Sequence, residues 1–502
     1  MGTVQRDLQP TPIDGYSTST SRLQASTEKD LKPRLDSILS DEQSQDANAG
    51  PTLHKELHMQ FLLRNLRQGF PARYSSQDAS QPWLIFWTLQ GFSVMGVGMD
   101  AETKQRTMDT LLAMQHPDGG FAGGPGQFAH LLPTYAAVCA LAIVGRPGKG
   151  GGWDDINREN MYEFFMSLKQ PDGSFLVSHD AEVDVRGIYC LLAVATMLNI
   201  MTPELVAGLP EFIISCQTYE GGFGNASFPG WAFSGAKLTD RAAPRPPLGE
   251  AHGGYTFCAA ASWVLLLPYI ETHYTSAARP RITMDSLVRW LAEMQGSYVD
   301  LGGFRGRTNK LVDGCYSWWV GGCFPLVEGL LEFEKTGHAH ASDDTEKARE
   351  SDHESDWDDA DDSLFNRKAL QEYVLYAAQH QAGGLVDKPP KGADAYHTLY
   401  CLSGLSAAQH RVVPSPKRKR QLLDAWKAVE DDPEHDAAII ALRKAAFIDT
   451  LSWVEEEGTE KYVGGAKNRL NATHPLTNLT ATHMQGIMGH FYRQTVPKDC
   501  AT

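Results

Sequence analysis

Apolar residues along the chain form helix-length segments of two kinds, separated by glycine-containing turns. In the first kind, apolar residues recur every three to four positions and charged residues fill the other side, as in Met108–Gln115, Tyr162–Gln170 and Leu287–Gln295. This pattern predicts helices with one solvent-exposed face. The second kind is apolar nearly all round, which predicts buried helices. Its members are Pro133–Val144, Val185–Leu198, Gly254–Leu267, Cys315–Leu331 and Tyr396–Ala408.

A turn motif recurs between these segments and marks a repeat. It consists of a glutamine, a glycine-containing turn and an aromatic residue or leucine, and it ends at Phe121, Phe175, Phe223, Phe304 and Leu385. An amphipathic segment precedes the turn and an apolar segment follows it. Stacked helix pairs predict a helical solenoid or its closed form. Apolar inner helices favour closure, because a ring has no open end that needs a polar cap. The predicted fold class is therefore all-α, an α/α barrel.

The ends of the chain and three interruptions of the repeat define the domain organisation. Residues 1–50 are rich in Ser, Thr, Gln, Asp and Pro with little periodic hydrophobicity, and we expect a disordered N-terminal arm. Residues 51–500 are expected to form a single barrel domain. The barrel domain carries insertions at 237–248, 335–365 and 411–470.

Two of the insertions have unusual charge. Residues 341–362 carry eleven acidic and two basic side chains, or −9 of the total net charge of −16, and predict a solvated loop. We interpret the basic run 417–420 as an exposed loop in preference to a nuclear import signal, and we expect a helical stretch at 437–454. The acidic balance argues against nucleic acid and anionic membranes as the main partners.

The sequence shows no pattern of secretion or membrane insertion. Its N-terminus lacks the basic segment and apolar run of a signal peptide, and its longest apolar stretches, such as Phe257–Ile270, are too short to span a bilayer. Most of the eight cysteines lie among small apolar residues, as reduced buried thiols do. We therefore expect a cytoplasmic protein.

Asp313, Cys315 and His397 are the strongest candidates for a metal site. Cys315 follows Phe304 by eleven positions and His397 follows Leu385 by twelve, and similar positions in successive repeats are neighbours in a stacked or closed array. One carboxylate, one thiolate and one imidazole leave the fourth position of a zinc ion open, as catalytic sites do. The alternative is a buried cysteine beside a helix-capping aspartate, which is the usual meaning of an isolated Asp-x-Cys.

A cationic group and an aromatic group accompany these candidates. His252, Arg307, Lys310 and Tyr316 offer three cations and a phenol, which suit a diphosphate; for Lys310 alone, surface charge is an equally ordinary explanation. Each aromatic residue taken singly would be core packing, but together they predict an apolar tunnel for a polyisoprenoid. The aromatic residues are Trp83, Trp87, Tyr135, Tyr189, Trp319, Tyr396 and Tyr400.

Several stretches of the chain give it a resemblance to a known family. They are Pro82-Trp83, Gly124–Gln127, Glu182–Arg186, Glu250–Phe257, Gly303–Arg307, Asn309–Ser317 and Tyr396–Thr398. On these stretches the chain resembles the β subunits of protein farnesyltransferases over roughly residues 55–410 and near His474-Pro475. The resemblance implies an α/α barrel that pairs with a separate α subunit.

The resemblance also implies roles for individual residues. It assigns zinc to Asp313, Cys315 and His397, and relates Asp387 to magnesium dependence. The diphosphate of farnesyl diphosphate is assigned to His252, Arg307, Lys310 and Tyr316. The isoprenoid is assigned to Trp83, Tyr135, Arg186, Tyr189 and Trp319, and the peptide to Trp83, Trp87, Tyr396 and Arg186.

The implied reaction is alkylation of a thiolate. Zinc lowers the pKa of the cysteine thiol of a protein that ends in a C-terminal CaaX sequence. The thiolate attacks C1 of the prenyl diphosphate, while the cationic group and Mg²⁺ stabilise the departing diphosphate. Bulky Trp83 and Tyr400 at the far end of the tunnel, with Asp387 where type I geranylgeranyl enzymes have lysine, favour a farnesyl donor over a geranylgeranyl donor.

Two other classes of protein are alternatives to this assignment. Terpene cyclases also have helical barrels and similar repeats, and Asp356–Asp359 matches their acid motif, but it lies in the acidic insertion, which cannot bury a proton donor. A non-catalytic helical scaffold is the second alternative, and zinc content distinguishes it from an enzyme.

Overall fold

The computed structural model describes residues 15–44, 50–228, 245–339, 363–428 and 436–497, with only the backbone for 335–339. The first nine helices are α1 (Ser19–Gln43), α2 (Lys55–Gln68), α3 (Gln81–Val94), α4 (Ala101–Leu112), α5 (Leu131–Val144), α6 (Arg158–Leu168), α7 (Val185–Met197), α8 (Pro203–Val206) and α9 (Leu209–Ser215). They are followed by α10 (Gly253–His273), α11 (Met284–Glu293), α12 (Tyr316–Trp319), α13 (Cys323–Ala339), α14 (Arg367–Glu372), α15 (Ala395–Gln409), α16 (Pro416–Ala425), α17 (Ala437–Leu451) and α18 (Ala481–Phe491).

Shorter elements connect these helices. The 3₁₀ helices are Ala72–Ser80, Tyr298–Asp300 and Ala466–Asn468, and a π-helical turn, Tyr373–Ala378, continues α14. Strands β1 (Ala226–Ser227) and β2 (Pro247–Leu248) form one antiparallel pair, and β3 (Val412–Pro414) and β4 (Trp453–Glu455) form another.

The apolar helices form a closed inner ring. Helices α3, α5, α7, α10, α12 and α15 pack against one another in that order, and α15 returns to α3. At this junction the rings of Trp87 and Tyr396 are 5.3 Å apart. Helices α5 and α7 are buried almost throughout, whereas outer helices such as α4 and α6 bury one face each. The predicted α/α barrel is therefore confirmed.

The turn motif joins each outer helix to the next inner one. In the first motif Gln115 pairs with Phe121 as an antiparallel bridge, and the Phe121 N–H donates to the hydroxyl of Thr134 on α5 at 2.8 Å. Gly119 has φ +103°, and a Cβ there would lie 1.9 Å from the carbonyl oxygen of Asn160 on α6. Glycine is required at this position, because the turn touches the backbone of the next outer helix.

The expectation of a disordered arm is wrong for Ser19–Gln43, which form helix α1. Thr18 and Ser21 form a capping box at its start. Leu31, Leu35 and Ile38 are buried on one face at helical spacing. This stripe packs outside the inner ring, against the Tyr298–Asp300 and Tyr373–Ala378 turns.

Two further predictions need correction. Cys315–Leu331 is not one helix, because the chain breaks between α12 and α13, where a Cβ on Gly321 would lie 2.1 Å from the Ser317 carbonyl oxygen. The basic run 417–420 is not a loop but lies on α16, and the buried Arg418 donates to the Pro497 carbonyl at 2.7 Å. The stretch expected at 437–454 is helical over 437–451.

Much of the two remaining insertions, including the acidic run 341–362 and its Asp356–Asp359 motif, lies outside the described residues. The apolar stretch around Phe257–Ile270 belongs to the longer helix α10, which has 21 residues. Its length and composition would allow it to cross a membrane, but 83% of its most apolar window is buried inside the protein, as expected for a core helix. The seven cysteines in the described segments are buried and free.

Candidate metal and substrate site

The structure brings Asp313, Cys315 and His397 together. Each side chain offers one ligand atom, and these atoms all lie within 4.8 Å of one another. The Nε2 atom of His397 is 3.2 Å from Oδ1 of Asp313. Cys315 is buried and the other two are partly buried. The repeat spacing thus predicted which residues meet across successive repeats.

Local backbone contacts hold Asp313 and Cys315 in place. The Gly314 N–H donates to the carbonyl oxygen of Asp387 at 2.7 Å, and a Cβ on Gly314 would lie 2.6 Å from the carbonyl oxygen of Val386. The Cys315 N–H donates to Oδ1 of Asp313 at 2.9 Å. The Asp-Gly-Cys segment is therefore docked on the turn that precedes the helix of His397, and only glycine fits between them.

Asp394 orients His397 and was not among the predicted residues. Its Oδ2 atom lies 2.7 Å from Nδ1 of His397, and its Oδ1 atom accepts the His397 N–H at 2.8 Å. Metal-binding histidines usually donate their second ring nitrogen to such a carboxylate, which fixes the tautomer. The signal in the sequence was an aspartate three residues before the histidine, at the start of a helix.

The three candidate ligands differ in protonation. Burial raises the pKa of Asp313, but the hydrogen bond and charge of His397 outweigh it and lower this pKa to about 2. Burial lowers the pKa of His397, but Asp313 and Asp394 raise it to about 10. Burial, followed by the charge of Asp313, raises the pKa of the Cys315 thiol well above its usual value.

These donors fit a divalent cation. A bound cation would replace the proton shared by His397 and Asp313, and it would stabilise the thiolate that burial disfavours. An oxygen, a sulfur and a nitrogen ligand atom that lie within 4.8 Å of one another suit zinc.

His252 and Tyr316 form the centre of the predicted diphosphate group. Nε2 of His252 lies 3.0 Å from the Tyr316 hydroxyl. Nδ1 of His252 accepts the Gly254 N–H at 3.0 Å, so the neutral ring carries its proton on Nε2 and donates it to Tyr316. Burial, then the charges of Arg307 and Arg186, lowers the pKa of His252 to about 4.

Of the three predicted cations, His252 is neutral near pH 7 because of this lowered pKa, which corrects the prediction. Arg307 and Lys310 differ in their contacts, as does Arg186, which was predicted for the isoprenoid and the peptide. Arg307 pairs with Glu250 at 2.5 Å. The Lys310 side chain is exposed. The backbone N–H of Lys310 donates to the Arg307 carbonyl oxygen at 3.2 Å. Arg186 binds Asp184 through two nitrogens, at 2.9 and 2.8 Å, and lies over the ring of Tyr255.

The predicted aromatic residues form a continuous belt around the inside of the inner ring, which we call the aromatic belt. Its ring centroids are 4.5–5.9 Å apart. The order is Trp83, Tyr135, Tyr189, Phe257, Trp319, Tyr400, Tyr396, Trp87 and back to Trp83. Phe257 was missing from the predicted set. It follows the helix cap His252 by five residues, as Tyr189 follows Asp184.

Asp387 lies against the candidate metal site but is already paired. Its carboxylate forms an ion pair with Lys388. Burial, then the nearby charge of Asp313, raises its pKa. Its carbonyl oxygen also accepts the Tyr373 hydroxyl at 2.7 Å. Mg²⁺ is usually bound by one or two carboxylates together with phosphate oxygens and water, so a magnesium ion at Asp387 would have to replace Lys388 as the partner of this carboxylate.

Comparisons with known proteins agree with this architecture. The prenyltransferase alpha-alpha toroid domain family matches residues 53–479. The chain is 36% identical to the protein farnesyltransferase subunit beta of Pyricularia oryzae over 419 residues, covering 80% of this chain and 72% of that one. It is 34% identical to the subunit of the same name from Saccharomyces cerevisiae over 413 residues, covering 80% and 81%.

A solved structure shares the fold. It is Candida albicans protein geranylgeranyltransferase-I complexed with GGPP, with 19% identity, a TM-score of 0.57, and coverage of 89% of this chain and 100% of that one. The family match and the two farnesyltransferase relatives cover most of the described barrel. The chain therefore belongs to the β-subunit family of protein farnesyltransferases and is a protein prenyltransferase.

Proposed function

We propose that this chain is the catalytic β subunit of a zinc-dependent protein farnesyltransferase, which transfers farnesyl from farnesyl diphosphate to the cysteine of proteins ending in CaaX. The observation that supports this proposal most is that three candidate zinc ligands, Asp313, Cys315 and His397, lie next to the aromatic belt inside the barrel. His397 and Tyr396 are consecutive, with ring centroids 5.0 Å apart, so the candidate metal site and the belt meet on α15.

The candidate metal site is where the cysteine thiol of the substrate protein would bind. Asp313, Cys315 and His397 would hold zinc, and Asp394 keeps Nε2 of His397 directed toward it. Bound zinc lowers the pKa of an incoming thiol so that a thiolate is available near neutral pH.

The cationic group is the site for the diphosphate. The Tyr316 hydroxyl oxygen accepts a hydrogen bond from the Nε2–H of His252, so its own O–H is available to a leaving-group oxygen. Arg307 would exchange Glu250 for phosphate oxygens in a bidentate contact, and Lys310 would extend the site toward solvent. Hydrogen bonds and positive charge aimed at the departing diphosphate stabilise the transition state.

The aromatic belt supports a prenyl donor of limited length. Its apolar rings provide contact area for the isoprenoid and present π faces to developing positive charge at C1. Trp83 and Tyr400 belong to this belt, and their bulk at the far end of the tunnel, as the resemblance implies, would favour farnesyl over the geranylgeranyl alternative. Trp87, Tyr396 and Arg186 are proposed to contact the peptide, with Arg186 held by Asp184.

The assembly and its location are part of the same proposal. Relatives are named as β subunits, which supports a heterodimer with an α subunit. We propose a cytoplasmic location from the reduced cysteines. Magnesium stays a prediction for Asp387, whose carboxylate is paired with Lys388.

Cys315→Ala tests the proposal in the co-expressed α/β complex. We expect loss of zinc and of farnesyl transfer to a CaaX peptide, with farnesyl diphosphate affinity nearly unchanged, because the diphosphate residues lie elsewhere. The matched control is Cys323→Ala, a buried thiol on α13 whose Sγ donates to the Trp319 carbonyl; it should retain zinc. Equal zinc content in Cys315→Ala and wild type would contradict the assignment.

The same assay separates the alternatives. Faster transfer from geranylgeranyl diphosphate than from farnesyl diphosphate would identify the type I enzyme. A cyclised hydrocarbon formed from farnesyl diphosphate alone would identify a cyclase. Wild-type complex without near-stoichiometric zinc would favour a scaffold.

A further inference from the structure

Four turns of the repeat contain two consecutive glycines, and an aromatic ring from a neighbouring outer segment covers each of them. A Cβ on the second glycine would lie only 2.5–2.9 Å from the nearest ring atom, so the contact needs glycine. The pairs are Phe164 over Gly120, Trp290 over Gly222, Tyr373 over Gly303 and Phe61 over Gly384. Covering the turn therefore requires an aromatic ring but no hydroxyl group.

Tyr373 is the one of these four rings that carries a hydroxyl. It is fully buried, and its hydroxyl donates to the carbonyl oxygen of Asp387 at 2.7 Å. Tyr373 also begins the π-helical turn, whereas the other three rings lie on α-helices. Such π-helical turns are rare and occur frequently at functional sites. The hydroxyl thus adds a contact that the packing of the turn does not need.

Tyr373 contacts both turns that hold the segment with two of the candidate zinc ligands. The Asp313 N–H donates to the carbonyl oxygen of Phe304 at 3.0 Å, in the turn that the Tyr373 ring covers. The Gly314 N–H donates to the carbonyl oxygen of Asp387 at 2.7 Å, and the Tyr373 hydroxyl donates to this same oxygen. One tyrosine therefore supports both backbone attachments of the segment.

The segment has little room to adjust to a shift of these attachments. A Cβ on Gly314 would lie 2.5 Å from Sγ of Cys401, which follows His397 by four residues on α15. A displaced Asp387 carbonyl would therefore move Gly314, and with it Cys315, relative to His397. Small shifts matter, because ligand atoms must lie within about 0.2 Å of their ideal distances from the metal.

We infer that Tyr373 is a positioning residue of the candidate zinc site, whose hydroxyl fixes the carbonyl that holds the ligand segment. The inference rests on the proposed function and deepens it. Tyr373 acts through Asp387 and Gly314 rather than as a ligand. Removing its hydroxyl would leave the ring over Gly303 but take away one of the two donors to the Asp387 carbonyl.

The physical basis is preorganisation of the ligands. Groups that are already held in the bound geometry lose less freedom when they bind, which increases affinity. Asp313 and Cys315 belong to a segment between two turns, and Tyr373 holds those turns in register. Without the hydroxyl, the segment would have more positions to lose when zinc binds.

The test removes the hydroxyl alone, in the co-expressed α/β complex. Tyr373→Phe should fold, because phenylalanine covers the equivalent glycine at Phe61 and Phe164. The matched control is Tyr492→Phe. Tyr492 is also buried, and its hydroxyl donates to the carbonyl oxygen of Thr196 at 2.8 Å. Thr196 lies near the end of α7, whereas the candidate metal site lies near the starts of inner helices.

We expect Tyr373→Phe to weaken zinc binding by about three- to tenfold, the range of effects of one hydrogen bond. Competition with a chelator measures the zinc affinity. Tyr492→Phe should bind zinc as the wild type does, although both variants should lose similar thermal stability. A loss of less than about threefold in Tyr373→Phe, or an equal loss in Tyr492→Phe, would overturn the positioning role.

Cobalt(II) in place of zinc gives a second readout, which a general loss of stability would not change. Its d–d absorption bands depend on the identity and geometry of its ligands. We expect Tyr373→Phe to shift these bands and Tyr492→Phe to leave them unchanged. Bands in Tyr373→Phe that are identical to those of the wild type would contradict a change in ligand position.

The zinc content of the wild-type complex separates this inference from the proposed function. A wild-type complex without near-stoichiometric zinc would overturn both, because there would be no zinc site to position. Zinc bound in the wild type, with an unaffected Tyr373→Phe variant, would overturn only the positioning role.

Discussion

At the scale of single residues, the most informative side chain is Asp394, because one carboxylate has two tasks. One oxygen caps α15 and the other holds Nδ1 of His397. Asparagine caps a helix as well as aspartate does, but it lacks the charge that holds the imidazole. The two tasks can therefore be separated by one substitution.

We predict that Asp394→Asn lowers the zinc affinity of the complex by about 10- to 100-fold, the usual effect of removing a carboxylate behind a histidine ligand. Thermal stability should change little, because the cap is kept. Competition with a chelator measures the affinity. Asp100→Asn, which alters the cap of outer helix α4, is the control and should leave zinc binding unchanged; a similar loss in both variants would contradict the orienting role.

The sequence could predict the ligands but not their support. Cys315 and His397 are far apart in the chain, and only the repeat spacing indicated that they meet. An aspartate at the start of a helix is an ordinary helix cap in the sequence. The second role of Asp394, holding Nδ1 of His397, depends on the orientation of the His397 ring. Phe257 was missed because a phenylalanine in an apolar helix is equally consistent with plain core packing.

At the scale of elements, helix α1 shows that a polar composition can wrongly predict disorder. Its polar residues hid the buried stripe of Leu31, Leu35 and Ile38. The residues that α1 contacts are distant in sequence. Gln24 of α1 donates its amide N–H to the Asp300 carboxylate at 2.8 Å, and Asp41 of α1 accepts the Tyr376 hydroxyl at 2.6 Å. Contacts that span more than 270 residues leave no trace in local periodicity.

We predict that Leu31→Ala lowers the free energy of unfolding by about 2–5 kcal/mol, because Leu31 is fully buried and its truncation leaves a cavity. Leu23 on the same helix is 58% exposed, and Leu23→Ala should change stability by less than about 0.5 kcal/mol. Denaturant unfolding compares the two variants. Equal effects would mean that α1 does not pack on the barrel in solution.

The turns of the repeat share a threonine that the sequence analysis did not identify. The hydroxyls of Thr134, Thr256 and Thr398 accept the backbone N–H of Phe121, Phe223 and Leu385 at 2.8, 3.0 and 2.9 Å. Each threonine stands near the start of an inner helix and ties it to the turn before it. The thirteen-residue offset from Phe121 to Thr134 and from Leu385 to Thr398 was present in the sequence, but the insertion after Phe223 lengthens it there.

We predict that Thr256→Val lowers the free energy of unfolding by about 1–3 kcal/mol, because the buried Phe223 N–H loses its partner while the side-chain shape is kept. Thr110 is exposed, and its hydroxyl bonds to the Arg106 carbonyl. Thr110→Val should therefore have little effect in the same denaturant titration. A Thr256 variant as stable as wild type would show that the turn finds another partner.

At the scale of the whole molecule, closure of the inner ring makes one site from distant repeats. Residues on α3 and α15 meet at Trp87 and Tyr396, although α3 is the first helix of the inner ring and α15 the last. The apolar inner helices predicted this closure. The break between α12 and α13 was not predictable, because an apolar run with two glycines is also compatible with a continuous helix.

The pH dependence of stability is also a property of the whole molecule, because several histidines in different helices and loops are buried with a neutral imidazole ring. Burial lowers the pKa of His58 and of His474 to about 4, below the value of about 6.5 for an unfolded chain. The unfolded chain therefore binds more protons between these values. Stability from these histidines is fully present above about pH 6.5 and is lost as the pH falls toward 4.

We predict that His58→Gln reduces the dependence of the unfolding free energy on pH between about 4 and 6.5 by up to about 1.4 kcal/mol per pH unit, the value for one proton. His58 is suited to this test because its Nε2 lies 2.9 Å from the amide oxygen of Gln379, a partner that glutamine also satisfies. Denaturant unfolding at a series of pH values measures the slope. His273→Gln, at the exposed end of α10, controls for the loss of a histidine. An unchanged slope in the His58 variant would show that folding does not lower the pKa of this imidazole.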